Sequence, residues 1–117
     1  MKIAAIICSL LLLYSCKQKV EPYSKPSSFI KHDQMVEILF EMELVEAEYQ
    51  GIKNQDTLSL PRMKANFEGI FAKHSTDVES FKSNYEYYLR AEKMDAVLND
   101  VLTKLNTTLT EVEAEVE

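Results

Sequence analysis

Apolar positions change rhythm twice along the chain. Ile3 to Tyr14 is nearly continuous apolar sequence, broken only by Ser9. Residues 17–28 (KQKVEPYSKPSS) then show no apolar period and carry Pro22, Pro26, three serines and three lysines. From Ile30 onward the period is helical. Met35, Ile38, Leu39, Met42, Val45, Tyr49 and Ile52 recur at spacings that place them on one face of a helix. Val36, Phe40, Leu44 and Ala47 widen that stripe, so the first helix is expected to touch two neighbours. Asp33 falls in its first turn or at its cap, where a carboxylate is favourable in either place. Gly51 and the polar run Lys53 to Thr57 end it.

Ser59-Leu60-Pro61 opens a second helix, with Pro61 near the start, where a missing N–H costs nothing. Met63, Phe67, Ile70, Phe71 and His74 share one of its faces. A third start follows at Thr76-Asp77-Val78-Glu79, which has the Thr-x-x-Glu form of a capping box. Val78, Phe81, Tyr85 and Tyr88 then stack at helical spacing, and Met94, Val97, Leu98, Val101, Leu102 and Leu105 carry the period onward. No proline or glycine separates Leu89 from Met94, so helices three and four are either separate or one bent rod. Leu109 to Glu117 alternates Val112, Ala114 and Val116 with four glutamates, as expected of a fraying helix end or a disordered tail. No strand pattern appears. The expected fold is an all-α bundle of three to four helices over residues 29–108, followed by an acidic tail over 109–117.

Composition sharpens the reading of the amino terminus. The first fifteen residues hold twelve of the chain's apolar side chains, and both cysteines lie in or beside that stretch. An apolar run of twelve residues spans only about 18 Å as a helix, short of the ~30 Å hydrocarbon core, so residues 1–15 are expected to be a secretory signal. Leu13-Tyr14-Ser15-Cys16 resembles a bacterial lipobox, with an aliphatic residue three before the cysteine and a small one directly before it. Cys16 is therefore the expected lipidation site, its thiolate being the nucleophile that takes the diacylglycerol group. Residues 16–28 become the lipidated cysteine and its tether. Cys8 leaves with the signal, so the mature domain has no disulfide and no cysteine metal site. Net charge moves from −6 for the whole chain to −7 after cleavage, because Lys2 is the one charged residue before Cys16. Lys17 follows the cysteine where, by resemblance, an aspartate would retain the protein at the inner membrane. The expected location is the periplasmic face of the outer membrane of a gram-negative bacterium.

Charge and composition also limit the chemistry. A net negative domain lacks the clustered Lys and Arg that phosphate contacts need, which argues against nucleic acid. Two glycines leave no room for a glycine-rich phosphate cradle. His74 lies three residues before Asp77, but no cysteine remains and no serine has a nucleophile-elbow context, so no catalytic residues are assigned. Glu37, Glu41, Glu43, Glu46 and Glu48 crowd the first helix. Without a Glu-x-x-His motif they suggest a solvated acidic face that meets a basic partner, and neither a metal nor another cofactor is expected. In the cluster Phe81 to Tyr88, Tyr87 points away from the face of Phe81, Tyr85 and Tyr88. Tyr87 and Tyr49 are the candidate partner anchors, with Glu41 and Glu48 as their acidic company. Asp56-Thr57-Leu58 resembles the acceptor of periplasmic O-glycosylation in some gram-negative bacteria, which makes Thr57 a candidate modification site.

The chain also resembles a family of small lipoproteins of unknown function typical of Bacteroidota. The likeness runs from about Pro26 to Leu105. It rests on Asp33-Gln34-Met35-Val36-Glu37-Ile38-Leu39, Val45-Glu46-Ala47, Phe71-Ala72-Lys73-His74, and Phe81 with Ser83-Asn84-Tyr85 and Tyr87-Tyr88. Family members often carry a proline shortly after the double tyrosine, where Arg90-Ala91-Glu92-Lys93 stands here. The resemblance implies a shared fold and brings no activity. The expected function is a non-catalytic interaction module of the cell envelope with a protein partner. A periplasmic holdase is the alternative, suggested by Met35, Met42, Met63 and Met94. An envelope hydrolase stands third.

Overall fold

Five of the six residues from Met35 to Phe40 are buried, so the first half of helix α1 (His32–Gln50) sits in the middle of the structure. The computed structural model describes residues 23–51 and 59–116. Three further helices follow: α2 (Ser59–Lys73), α3 (Val78–Arg90) and α4 (Met94–Val116). Among the described residues there is no strand. The fold is a small all-α bundle.

The widened apolar stripe of α1 meets two neighbours. Gln34 donates to the His74 carbonyl at 2.7 Å, and Asn66 donates to the Tyr49 hydroxyl at 3.2 Å, so α1 and α2 run antiparallel. His32 lies 2.6 Å from Asp100, and Glu37 is paired with Lys104, so α1 and α4 run parallel. Met35, Ile38 and Val97 are fully buried between these elements, and Phe71 stacks on Phe81 with ring centroids 4.8 Å apart. Asp33 takes the first turn of α1, while the capping position is Lys31, whose side chain makes no capping bond.

Both junctions around α3 are built without proline or glycine. Helices three and four are separate. α2 and α3 each end in a Schellman motif built on a non-glycine residue, Ser75 and Glu92, each at φ 55°. The Thr76 and Ser75 amides reach back to the Phe71 and Ala72 carbonyls at 2.9 and 3.0 Å. The Lys93 and Glu92 amides reach the Tyr88 and Leu89 carbonyls at 2.9 and 3.2 Å. This wrap turns the chain at Glu92 without proline or glycine. The first of these motifs also shifts the next cap by one residue. Thr76 is committed to closing α2, so Asp77 becomes the cap of α3 and accepts from the Ser80 amide at 2.8 Å. Among the described residues, the buried Thr76 hydroxyl has no hydrogen-bond partner.

An extended strap precedes α1 and folds back onto α3. Asn84, with no exposed surface, accepts from the Ile30 amide and donates to the Ser28 carbonyl, each at 2.8 Å. Its amide also donates to the Ser80 carbonyl at 2.8 Å, and the Tyr88 hydroxyl donates to the Ile30 carbonyl at 2.8 Å. Phe29 stacks on Tyr88 and meets Tyr87 edge-on. The tether expected to run to residue 28 is thus fastened at its downstream end. The last stretch is helical, with α4 continuing to Val116 and nearly every side chain from Asn106 onward exposed.

Candidate functional site: an acidic-rimmed groove between α1 and α3

The backbones of α1 and α3 stay apart, and side chains span the gap between them. On α1, Leu39, Met42, Glu43 and Glu46 fall on one face at helical spacing. On α3, Phe81, Tyr85 and Leu89 recur every four residues and face them. The result is an open groove of about 360 Å³ with an apolar floor of Leu39, Met42, Phe81, Tyr85 and Leu89. Leu89 is 51% exposed, so part of that floor is wet. The rim is acidic. Glu86 pairs with Arg90 and Lys82 with Glu79, whereas Glu43 and Glu46 make no ion pair among the described residues. Such a groove suits an apolar side chain flanked by basic groups, since the unmatched carboxylates lie where those groups would arrive.

A second cluster joins α1 to the end of α2. Lys73 and His74 both donate to the same Glu41 oxygen, at 2.8 and 3.0 Å. A carboxylate only accepts, so the His74 Nε2 carries the hydrogen in this contact. Partial burial pushes the Glu41 carboxyl up, but the hydrogen bonds and charges of Lys73 and His74 outweigh it and hold it below the usual carboxylate range. His74 therefore acts as a clamp between helices. The hollow that Asp77 lines, between α2 and α3, is bounded by Phe71, Val78 and Glu79 among others and does not include His74.

The expected anchors fall in different places. Tyr87 is corrected: it is 7% exposed, because the strap brings Phe29 over it and Lys93 lies against its ring. The tyrosine that faces the groove is Tyr85. Tyr49 is half-buried and lines a smaller hollow of about 220 Å³ with Ser59, Leu60 and Met63. Glu41 is not a free acidic contact, being held by Lys73 and His74. Glu48 is exposed near the end of α1. The structure does not bring Tyr49, Tyr87, Glu41 and Glu48 together as one surface. Cys16 and Thr57 lie outside the described residues. Glu43 and Glu46 belong to the acidic face expected on α1, whereas Tyr85 and Leu89, which sequence reasoning did not place at a site, carry a legible signal, because they continue the four-residue spacing from Phe81.

Among the described residues, no three His, Cys, Asp or Glu side chains are grouped to hold a metal ion. Among the same residues, no helix is long and apolar enough to cross a membrane.

Strap, bundle and groove define a small all-α domain whose N-terminal segment is an integral part of its packing. Residues 26–111 match a family model described as a domain of unknown function, DUF4296, and the chain belongs to that family. No curated protein and no solved structure shows significant similarity to it.

Proposed function

We propose that the protein is a non-catalytic interaction module of the cell envelope, held at a membrane by lipid on Cys16. Its α1/α3 groove receives an apolar segment of a partner protein that also carries basic residues. The observation behind this reading is the pairing of a wet apolar floor at Leu89 and Tyr85 with the unmatched Glu43 and Glu46 carboxylates. The lipobox motif supports the anchor, and the Asn84 bonds to Ser28 and Ile30 fix where the tether joins the domain. The periplasmic face of the outer membrane is the proposed location.

The test is photo-crosslinking in living cells from position 89, with adducts identified by mass spectrometry. One envelope protein should recur, and its recovery should fall sharply in the double variant Glu43→Lys/Glu46→Lys. Failure to find any reproducible adduct under several growth conditions would overturn the reading. A holdase is the second reading, favoured by the exposed leucines Leu98, Leu102 and Leu109 on α4. It requires suppression of client aggregation at near-stoichiometric ratios, lost in Leu102→Glu/Leu109→Glu.

A further inference from the structure

Helix α4 carries two faces of different kinds. Met94, Val97 and Val101 are buried against the bundle, while a second apolar line runs beside them. That line is Leu98, Leu102, Leu105, Leu109, Val112 and Val116, with spacings alternating between four and three, which is the heptad period of a coiled-coil seam. It is open on either side of Leu105, which packs partly against the core of the bundle: Leu98, Leu102, Leu109, Val112 and Val116 are 46%, 56%, 58%, 52% and 82% exposed, and Leu105 is half-buried.

The second half of α4 is poorly suited to stand alone. Thr103, Thr107, Thr108 and Thr110 are β-branched, and each turns its hydroxyl to a carbonyl four residues back. Glu111, Glu113 and Glu115 gather at the end where the helix dipole disfavours negative charge, with no basic residue in the last turn. A segment of this kind gains its stability from packing of an apolar stripe and not from propensity.

The geometry points to a second copy of this chain as the occupant, with the two α4 helices paired antiparallel about a twofold axis near Thr107. In that register Leu98 meets Val116, Leu102 meets Val112, and Leu105 meets Leu109, so every seam residue finds an apolar mate and the contact closes on itself. Charge selects this direction. A parallel pair would lay the two glutamate-rich ends side by side. The antiparallel pair sets Glu113 beside Asn99 of the other copy, and the central flanking positions, Asn106 and Thr108, are uncharged. It also sends the two bundles to opposite ends of a shared rod about 28 Å long. The seam is separate from the α1/α3 groove in its residues, so the dimer presents two grooves.

The test uses the full chain in detergent, with Leu109 replaced by the photo-reactive p-benzoylphenylalanine and isotopically light and heavy chains mixed. Irradiation should give a mixed light–heavy adduct of twice the chain mass, with the crosslink mapped to residues 102–105 of the other copy. The unsubstituted chain should show a dimer mass by light scattering at high concentration, lost in Leu102→Glu/Leu109→Glu. Circular dichroism should show that this variant keeps its bundle, since both positions are more than half exposed. A monomer at every concentration overturns the inference, as does an adduct mapped to residues 109–112, which would signify parallel pairing. Adducts only to a different protein would also overturn it.

Discussion

Asn84 and Ile30 lie 54 positions apart in the chain, yet the Asn84 side chain accepts the Ile30 amide at 2.8 Å in the fully buried interior. The bond makes the strap part of the fold. Asn84 uses its oxygen on Ile30 and its amide on Ser28 and Ser80, so a single side chain satisfies backbone groups of the strap and of α3 together. Asn84→Ala leaves a buried donor and acceptor unmatched and should cost about 2–4 kcal/mol. Asn84→Asp should also destabilise, because a carboxylate can accept from Ile30 but cannot donate to the two carbonyls. Chemical denaturation checks both. Wild-type stability in Asn84→Asp would contradict the lock.

Tyr88 holds the same strap residue from the other side, donating to the Ile30 carbonyl. Burial, with Tyr87 and Asp33 nearby, pushes its hydroxyl above the ordinary tyrosine value. A pKa raised in the folded state contributes stability that is present below the unfolded value, about 10, and lost as pH rises through the folded value. Tyr88→Phe should cost about 1 kcal/mol at neutral pH. It should also flatten the alkaline loss of stability, read from melting temperature against pH.

Ser75 and Glu92 both occupy the left-handed region at φ 55° as the turning residues of Schellman motifs. A side chain there costs roughly 1–2 kcal/mol that glycine does not incur. Ser75→Gly and Glu92→Gly should each raise stability by about 1 kcal/mol, the unfolded state offsetting part of the gain. Glu92→Ala keeps the Cβ and should bring no such rise.

Glu41 is held as an anion by Lys73 and His74, and its carboxyl is depressed below the ordinary value of 4.5. A depressed carboxyl contributes stability that is present above the unfolded value and lost as pH falls through the folded one. The wild-type protein should therefore lose stability progressively from just above pH 4.5 downward. Glu41→Gln should cost about 1 kcal/mol at neutral pH and show a shallower acid limb.

Much of the fold was legible because it follows from local pattern. The α1 stripe announced both its burial and its two neighbours, and Pro61 marked the start of α2. What escaped depends on contacts distant in sequence. Nothing near Tyr87 reveals that Phe29 will cover it, so a residue on the outward side of α3 became part of the core. The break at Glu92 lacked the glycine that normally marks it. Thr76 and Asp77 are both good caps, and the choice between them was made by the motif that closes α2. Asn84 sat within a segment shared with the family but looked like an ordinary polar position, because its partners are main-chain groups of the strap. The groove was half legible. Its acidic rim lay among the glutamates of α1, but its floor needed the placement of α3.

The most direct test of the groove as the partner surface is a scan of photo-crosslinking yield over single positions in living cells. Positions 42, 85 and 89 line the groove, while 65 and 107 are exposed elsewhere, on α2 and α4. The expected result is adducts to one common protein from the three groove positions and none of that species from the two controls. Equal yields from all five positions, or adducts from the controls alone, would contradict it.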